Sequence, residues 1–377
     1  MNFDYTEEQR LLAESVQRFV ARDYGFDVRK RIVAGAAGMS DEVWRAFADL
    51  GLLGLPLPTQ TGGFGGGAAD MMCVMEAIGE ALVVEPYLPT VGLGARLVAR
   101  AGDDVQRAAI LPAVGEGRMK LALAFTEAGS RYDLGRVATR AARTGDGYVI
   151  DGEKRIVVGG PMADRIAVTV RTSGEEGDPQ GVSVMLVDPR AAGVTMTPCR
   201  TLDGLRACDL RLVGVRVDAG ARLGPEGGAL AALEEVVDFA TALVCAEAVG
   251  AIRYANDATL EYLKTRKQFG MPIGAFQALQ HRMVDMVISY EQARSMACLA
   301  CTRVDVERDA LERRRVVSAA KIKIADACRH VSQESVQLHG GMGMTEELKV
   351  SHTFRRLTTI AQQFGDADHH LARYAAG

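Results

Sequence analysis

The sequence lacks the features that mark several common classes of protein. Its 377 residues contain no apolar run of the roughly 18–20 residues that a transmembrane helix needs. The 44 basic and 48 acidic residues are mixed along the chain and leave a formal charge of -4, so no basic stripe is available to follow a nucleic-acid backbone. No signal-peptide pattern is present. We therefore expect a cytoplasmic protein that neither inserts into a membrane nor binds nucleic acid.

Cysteine is present, but not in the pattern of a metal site or a disulfide framework. The seven cysteines are an odd number and are scattered along the chain. Cys298 and Cys301 form a C-x-x-C, but it lies inside an uninterrupted helical pattern without the proline, glycine or second C-x-x-C of zinc and redox sites. We expect these cysteines to be core residues in a reducing compartment, and we expect no metal.

Hydrophobic periodicity divides the chain into three parts. Helical spacing governs the first third, an alternation with a period of two begins near Lys120, and long helical patterns return from about Ala229. Short alternating runs separated by turn residues are typical of an antiparallel sandwich or barrel, and long amphipathic helices are typical of a bundle. The predicted fold is α+β, with an N-terminal helical domain at residues 1–118, a middle antiparallel β domain at 119–226 and a C-terminal helical bundle at 227–377.

Local signals predict where several helices begin. Thr6 and Gln9 have the spacing of a capping box, and Ser40 precedes another helical pattern. Near the C terminus, QQFGDADHH (362–370) contains two aspartates and two adjacent histidines. Nearly consecutive residues point in different directions around a helix, which is a poor arrangement for binding a metal. We expect Asp366 to be the N-cap of the last helix.

Four sequence elements occur in the order and spacing of one enzyme family. They are FDYTEEQRLL, LALAFTEAGS, YLKTRKQFGMPIGAFQALQHRMVDM and QLHGGMGMTEE. With these elements the chain resembles the acyl-CoA dehydrogenases, flavoenzymes that place a double bond between the α and β carbons of an acyl-CoA thioester. The resemblance covers nearly the whole chain. It implies an FAD cofactor, an acyl-CoA substrate and an electron-transfer flavoprotein as the electron acceptor.

The resemblance also implies roles for residues in the two C-terminal elements, which in the family hold the FAD of a neighbouring subunit. Arg266 would meet the pyrophosphate, Phe269 would pack on the adenosine half, and Gln277 would hydrogen-bond there. Gln337 and Gly341 would contact the same half, through a polar group and a close approach of the backbone. These residue types suit the task, because guanidinium groups and backbone N–H groups bind phosphates and glycine lets the backbone come near.

The middle part of the chain keeps only some of the residues that shield the flavin ring in the family. Thr126 matches the start of the family's T-E-x-x-A-G-S-D loop and is a further predicted cofactor contact. Tyr132, however, stands where the family has serine. Ile156 and Val158 stand where it has the tryptophan and threonine of a W-I-T element, so a flat ring and a hydroxyl near flavin N5 are lost. These changes count against a flavin held in this chain's own pocket.

The usual catalytic base is also replaced. Removal of the α-proton needs a carboxylate beside the thioester. By the resemblance, the family's glutamate corresponds to Phe364 in this chain, and the glutamate that some relatives use instead corresponds to Ala240. Glu247 lies seven residues after Ala240, on nearly the same helix face and inside an apolar run. It is either a desolvated catalytic base or one half of a buried ion pair.

Three hypotheses about function follow. The departures together resemble the small subunits of heteromeric acyl-CoA dehydrogenases, such as pimeloyl-CoA dehydrogenase and the bacterial enzymes that shorten steroid side chains. The first hypothesis is therefore a subunit that shares FAD with a larger paralogous subunit in a heterotetramer. The second is a self-sufficient homotetramer that uses Glu247 as its base. The third is a non-catalytic acyl-CoA-binding or scaffold subunit, because a fold does not imply a function.

Overall fold

A computed structural model describes residues 5–376, which form two compact units. The unit that we call the helical unit comprises the chain up to Arg31, Gly67–Val83 and the chain from Thr241 onward. The other, which we call the mixed unit, comprises Ile32–Gly66 and Val84–Ala240. Among the described residues, no helix combines the length and the apolar character that crossing a bilayer requires.

The described residues contain eleven α-helices and ten strands. The helices are α1 (Glu7–Asp23), α2 (Phe26–Ala34), α3 (Asp41–Asp49), α4 (Ala68–Ala81), α5 (Arg96–Ala101), α6 (Asp104–Gly115), α7 (Leu230–Thr265), α8 (Gln277–Val304), α9 (Ala310–His339), α10 (Lys349–Gln362) and α11 (Ala367–Ala375). The strands are β1 (Leu121–Ala124), β2 (Arg140–Thr144), β3 (Gly147–Val158), β4 (Arg165–Arg171), β5 (Val182–Val187), β6 (Val194–Arg200), β7 (Arg206–Asp218), β8 (Arg222–Leu223), β9 (Lys267–Gln268) and β10 (Met271–Pro272). A π-helix at Leu88–Ala95 precedes α5.

The mixed unit contains the predicted middle sheet. Eight strands lie in the order β6-β7-β3-β2-β4-β5-β8, with β1 paired to β4 beside this path. Most pairs are antiparallel, as expected, but β1 and β2 each pair with β4 in parallel. Alternation of apolar and polar residues does not distinguish these two kinds of pairing. The edge strand β6 is largely exposed and carries Pro198, a residue that sheets accept mainly at edges.

The helical unit brings α4 and α7 into close contact through glycine. A Cβ added to Gly79 of α4 would overlap the carbonyl oxygen of Glu247, and one added to Gly250 of α7 would overlap the carbonyl oxygen of Glu76. Glycine at both positions therefore lets the two helix backbones approach closely. This contact places Glu247 in the interior of the unit.

The helix starts predicted from local signals are present. The Gln9 N–H donates to Thr6 Oγ1 over 3.2 Å, and the Thr6 N–H donates to Gln9 Oε1 over 3.0 Å, which forms the capping box of α1. In the mixed unit, Ser40 Oγ accepts from the N–H of Val43 at the start of α3. Capping by side chains depends on residues three positions apart, so a sequence can reveal it.

Candidate functional site

The first group of predicted FAD contacts lies on a hairpin that follows α7. Arg266 directly follows the helix, and its carbonyl accepts the N–H of Ile273 over 2.9 Å, which closes the hairpin formed by β9 and β10. Phe269 and Gly270 form the two-residue turn, with φ angles of 54° and 79°. Positive φ at both positions is the conformation of a type I′ turn, which is favourable for glycine and costly for phenylalanine.

This turn holds an aromatic ring in solvent. Phe269 is 89% exposed. Among the described residues, its ring makes one aromatic contact, which is edge to face with the ring of Phe276. Gln277 begins α8 and is exposed as well. Within residues 5–376 the structure records no ion pair for the exposed Arg266 guanidinium. The hairpin thus presents a cation, a ring and a carboxamide on one exposed segment.

The second group lies at the end of α9. Gln337 is exposed in the last turn of the helix, and its carbonyl accepts the N–H of Gly340, whose φ is 61°. A Cβ added to Gly341 would have no atom within 4 Å, so the space beside this residue is open. The backbone at Gly341 is therefore accessible to a ligand.

A ring contact joins the two groups. Tyr262, in the last turn of α7, and His339, the last residue of α9, stack with their ring centroids 4.5 Å apart. The chain segments that carry Arg266 and Gly341 consequently begin at two helix ends that lie next to each other in the helical unit. The two groups together offer a guanidinium, two carboxamides, an exposed ring and an open glycine. These are suited to bind the adenosine diphosphate half of FAD. The roles of the individual residues remain predictions.

In the mixed unit, Thr126 lies at the start of a loop that a buried ion pair holds in place. Glu127 Oε1 lies 2.6 Å from Lys154 Nζ and also accepts the hydroxyl of Thr139 over 2.7 Å. Burial raises the pKa of the Glu127 carboxyl, but the charge and hydrogen bonds of Lys154 and Thr139 outweigh it, so this pKa is below its usual range. Burial lowers the pKa of Lys154 to about 8. Glu127 is therefore an anchor of the loop, while Thr126 is half-buried and its carbonyl accepts the N–H of Arg155.

Ile156, at the position of the family's tryptophan, lies in a β-bulge. The register between β3 and β7 shifts between Lys154 and Val157, and Ile156 has a φ of 51°. Its N–H donates to Asp209 Oδ1 over 3.0 Å, and its side chain is 53% exposed. A β-branched residue at positive φ is strained. The position is thus shaped to turn a side chain outward, but it carries no flat ring.

Glu247 forms a buried, two-pronged ion pair. Its Oε1 lies 2.6 Å from Arg356 Nε, and its Oε2 lies 2.7 Å from Arg356 Nη2. The two side chains are only 4% and 7% exposed. Since both carboxylate oxygens are bonded to one guanidinium, the contacts favour the structural ion pair over the catalytic base. Arg356 could not be identified as the partner from the sequence, because it lies 109 residues further along the chain.

Phe364, at the position of the family's usual glutamate, lies in a segment that a buried lysine anchors. Phe364 follows α10 with a φ of 62°. Lys321 Nζ donates to the carbonyls of Ala361 and Gly365, which flank Phe364, over 3.2 and 2.8 Å. Lys321 is fully buried, and burial lowers its pKa. The segment around Phe364 is therefore anchored by a buried lysine, and Phe364 itself offers no carboxylate. In the mixed unit, Ala240 is fully buried and offers no acid either.

The aspartates and histidines near the C terminus have structural contacts. Asp366 Oδ1 accepts the N–H of His369 over 2.8 Å and caps α11, as predicted. His370 is buried, and its Nε2 lies 3.2 Å from the carbonyl oxygen of Phe364. Burial, together with the nearby Lys321, lowers the pKa of His370 to about 3. Within residues 5–376 no group of histidine, cysteine, aspartate and glutamate side chains is arranged to hold a metal ion.

Helices at both ends of the sequence, a sheet in the middle of the sequence and exposed residues suited to bind a nucleotide are the features of a flavin-dependent dehydrogenase. Family profiles agree with this class: the acyl-CoA dehydrogenase N-terminal domain matches residues 6–118, the middle domain matches 122–215, and the C-terminal domain matches 227–376. The chain therefore belongs to the acyl-CoA dehydrogenase family, whose members are oxidoreductases and use FAD. This confirms the family, the fold class and the cofactor predicted from the sequence.

Individual relatives match along nearly their full length. The chain is 30% identical to acyl-CoA dehydrogenase FadE12 of Mycobacterium tuberculosis, over 96% of this chain and 93% of the relative. A chain of the ChsE4–ChsE5 complex from the same organism is 28% identical, with a TM-score of 0.89 and coverage of 100% and 98%. A Tcur3481–Tcur3483 steroid ACAD variant is 28% identical, with a TM-score of 0.87 and coverage of 98% and 97%.

Proposed function

We propose that this chain is one subunit of an FAD-dependent acyl-CoA dehydrogenase that acts together with a larger paralogous subunit in a heterotetramer. The observation that supports this most directly is a division within the chain. Residues suited to bind the adenosine half of FAD are exposed, while the positions where relatives carry a catalytic glutamate hold Phe364 and Ala240. Glu247, the remaining candidate, has both oxygens bonded to Arg356.

In this proposal the chain's own residues bind and orient the cofactor. Arg266 neutralises a phosphate, Phe269 covers the adenosine half, and Gln277 and Gln337 donate or accept hydrogen bonds at its rim. Gly341 allows its backbone N–H to approach the same half. Bound FAD supplies the acceptor for the hydride that leaves the β carbon of the acyl chain. The carboxylate that removes the α-proton then belongs to the partner subunit.

An exposed apolar surface beside the hairpin supports a subunit contact. On α8, Val284, Val287 and Ile288 have the spacing of one helix face and are between 44% and 56% exposed. Further large apolar side chains are exposed in the same unit: Leu260, Phe269, Met271, Phe276, Met342 and Met344. Monomeric proteins rarely leave so much apolar surface in water, whereas subunit interfaces use it. This surface and the predicted FAD contacts lie on the same helices and their ends.

The relatives support a paralogous partner as well. One matching structure is the ChsE4–ChsE5 complex, and another is the Tcur3481–Tcur3483 steroid ACAD. By analogy, the substrate of this chain's assembly is an acyl-CoA derived from a fatty acid or a steroid side chain. An electron-transfer flavoprotein is the proposed acceptor of the electrons.

The test is to express the chain alone and together with a longer acyl-CoA dehydrogenase paralogue from the same genome. We expect the co-expressed pair to carry FAD and to oxidise an acyl-CoA, and we expect the lone chain to do neither fully. The flavin absorbance per chain and turnover with an artificial electron acceptor measure both. Full FAD occupancy and turnover by the lone chain would overturn the proposal and favour the self-sufficient homotetramer.

A non-catalytic scaffold is the second candidate, because none of the family's positions for the base offers an available carboxylate in this chain. It predicts an assembly that binds acyl-CoA but has no FAD contact from this chain. Calorimetry with FAD and with acyl-CoA on the assembled complex separates the two functions. In that complex, Arg266→Ala should weaken FAD binding if the subunit grips the cofactor and should leave it unchanged if the subunit is a scaffold.

A further inference from the structure

The two helix ends that carry the predicted FAD contacts are distant in sequence but meet through one ring pair. Tyr262 lies in the last turn of α7, four residues before Arg266, and His339 ends α9, two residues before Gly341. We infer that Tyr262 and His339 are positioning residues: their stacked rings hold the hairpin that carries Arg266 and the turn that carries Gly341 in a fixed relative position. This inference rests on the proposed function, since it assigns the residues to the same FAD site.

On the α7 side, the ring is coupled to Arg266 through the backbone. The Tyr262 carbonyl accepts the N–H of Arg266 over 2.8 Å, which is the last helical hydrogen bond before the hairpin. The hairpin is then closed by the bond between the Arg266 carbonyl and Ile273. A rotation of the last turn of α7 would therefore move Arg266 and the whole hairpin. The stacked Tyr262 ring opposes that rotation.

On the α9 side, the imidazole is fixed in orientation and in charge. His339 Nδ1 lies 2.7 Å from the carbonyl oxygen of Ser335, so this nitrogen carries the proton and donates it. His339 is buried, and burial lowers its pKa, which keeps the ring neutral near pH 7. The next residue, Gly340, turns the chain with a positive φ toward Gly341. The orientation of the His339 ring thus sets the direction in which the glycine turn leaves the helix.

The third helix of the site has a separate link. Arg282 of α8 forms an ion pair with Glu334 of α9 over 2.5 Å, between atoms Nε and Oε2. This pair relates the helix that begins with Gln277 to the helix that ends with His339. The ring stack does the same for α7 and α9. Two cross-links of different chemistry therefore connect the three helices whose ends carry the predicted FAD contacts.

The inference is tested with matched substitutions in the FAD-loaded assembly, prepared with the paralogue if the lone chain does not hold FAD. Tyr262→Leu and His339→Leu remove the stack, and Tyr262→Phe keeps a ring. His330→Leu is the control, since His330 is also a histidine of α9 with one side-chain hydrogen bond, to Ser289 over 2.8 Å. An aromatic pair contributes about 2- to 10-fold to an equilibrium constant. We expect both stack-breaking variants to weaken FAD binding by about this factor.

Two readouts are needed: the dissociation constant of FAD, from fluorescence titration, and amide hydrogen exchange over residues 340–344. We expect faster exchange in both stack-breaking variants with or without FAD, near-normal values for Tyr262→Phe, and no effect at residues 340–344 from His330→Leu. Unchanged exchange and unchanged FAD affinity in Tyr262→Leu would overturn the inference. So would faster exchange with unchanged FAD affinity, because the stack would then stabilise the turn without positioning a cofactor contact.

Arg266→Ala distinguishes failure of this inference from failure of the proposed function. If Arg266→Ala weakens FAD binding but Tyr262→Leu does not, the site is correct and the positioning role is wrong. If neither substitution alters FAD binding, the assignment of this surface to FAD is wrong, and the positioning role falls with it.

Discussion

The ion pair between Glu247 and Arg356 leads to a prediction that separates two chemical roles for one residue. Glu247→Gln keeps the shape of the side chain but removes its charge, so the buried Arg356 guanidinium loses the carboxylate that bonds its Nε and Nη2 atoms. Both side chains are less than a tenth exposed and are joined by two short bonds. Removing one partner of such a pair costs about 3–5 kcal/mol of the free energy of unfolding.

The size of this loss can be measured by thermal or urea unfolding. For a unit of about 150–250 residues, each kcal/mol shifts the melting temperature by about 2–4 °C, so we expect a decrease of roughly 6–20 °C. Glu80→Gln is the control. Glu80 also pairs with an arginine in the helical unit, Arg253, but those side chains are 39% and 29% exposed. A solvent-exposed pair contributes only about 0–1 kcal/mol.

A second substitution tests whether the loss comes from breaking the buried ion pair. Replacing both partners, Glu247→Gln with Arg356→Met, should recover much of the stability that Glu247→Gln loses, because neither charge of the pair then remains. A catalytic base predicts the opposite pattern: a loss of about 10²–10⁴-fold in rate with FAD bound and the melting temperature unchanged. That result, obtained with Glu247→Gln alone, would refute the structural role.

Three further predictions concern acid stability, backbone strain and the FAD site. The pKa of His370 lies near 3 in the folded chain, below the value of about 6.5 in unfolded chains, so the unfolded state binds more protons between these values. Stability should therefore fall as the pH drops from about 6.5 toward 3, by up to roughly 2 kcal/mol at pH 5, and His370→Gln should remove this component in urea titrations across pH. Ile156→Asn should raise the free energy of unfolding by about 0.5–1 kcal/mol, because asparagine tolerates positive φ; a clear loss in urea unfolding would contradict the strain at the bulge. Gly341→Ala should leave stability within about 0.5 kcal/mol, since the space beside it is open, yet weaken FAD binding in the assembly; equal FAD affinity would show that the cofactor does not approach this backbone.

Features that depend on neighbouring residues could be predicted from the sequence. The capping box of Thr6 and Gln9 and the N-cap at Asp366 need groups three residues apart, and the structure contains both. The change of period near Lys120 likewise marked the start of the sheet region, because alternation is a property of each strand by itself. The family elements added the overall order of helices and strands.

Features that depend on distant residues could not be predicted in the same way. A single acid in an apolar helix requires either a shifted pKa or a cation, but nothing local to Glu247 identifies Arg356 as that cation. Lys321 and Gly365 are 44 residues apart, and their contact depends on how α9 and α10 pack. The sequence did contain a signal for Lys154. It lies two and four residues after Gly152 and Ile150 in β3, so its side chain is expected on the same, inward-facing side of the strand.

The hairpin that carries Phe269 has a consequence for how quickly the chain can assemble. Its ring is already held outward by a two-residue turn, so in the proposed assembly a subunit that covers it would meet a formed surface rather than a loop that must first be ordered. Association of preformed surfaces proceeds at about 10⁵–10⁷ M⁻¹s⁻¹, whereas steps that need rearrangement are slower. In a newly synthesised chain the same exposed ring is available for nonspecific apolar contacts until the ring is buried. In the proposed heterotetramer, synthesis of the two subunits close together and in matched amounts would shorten the time for which this ring is exposed.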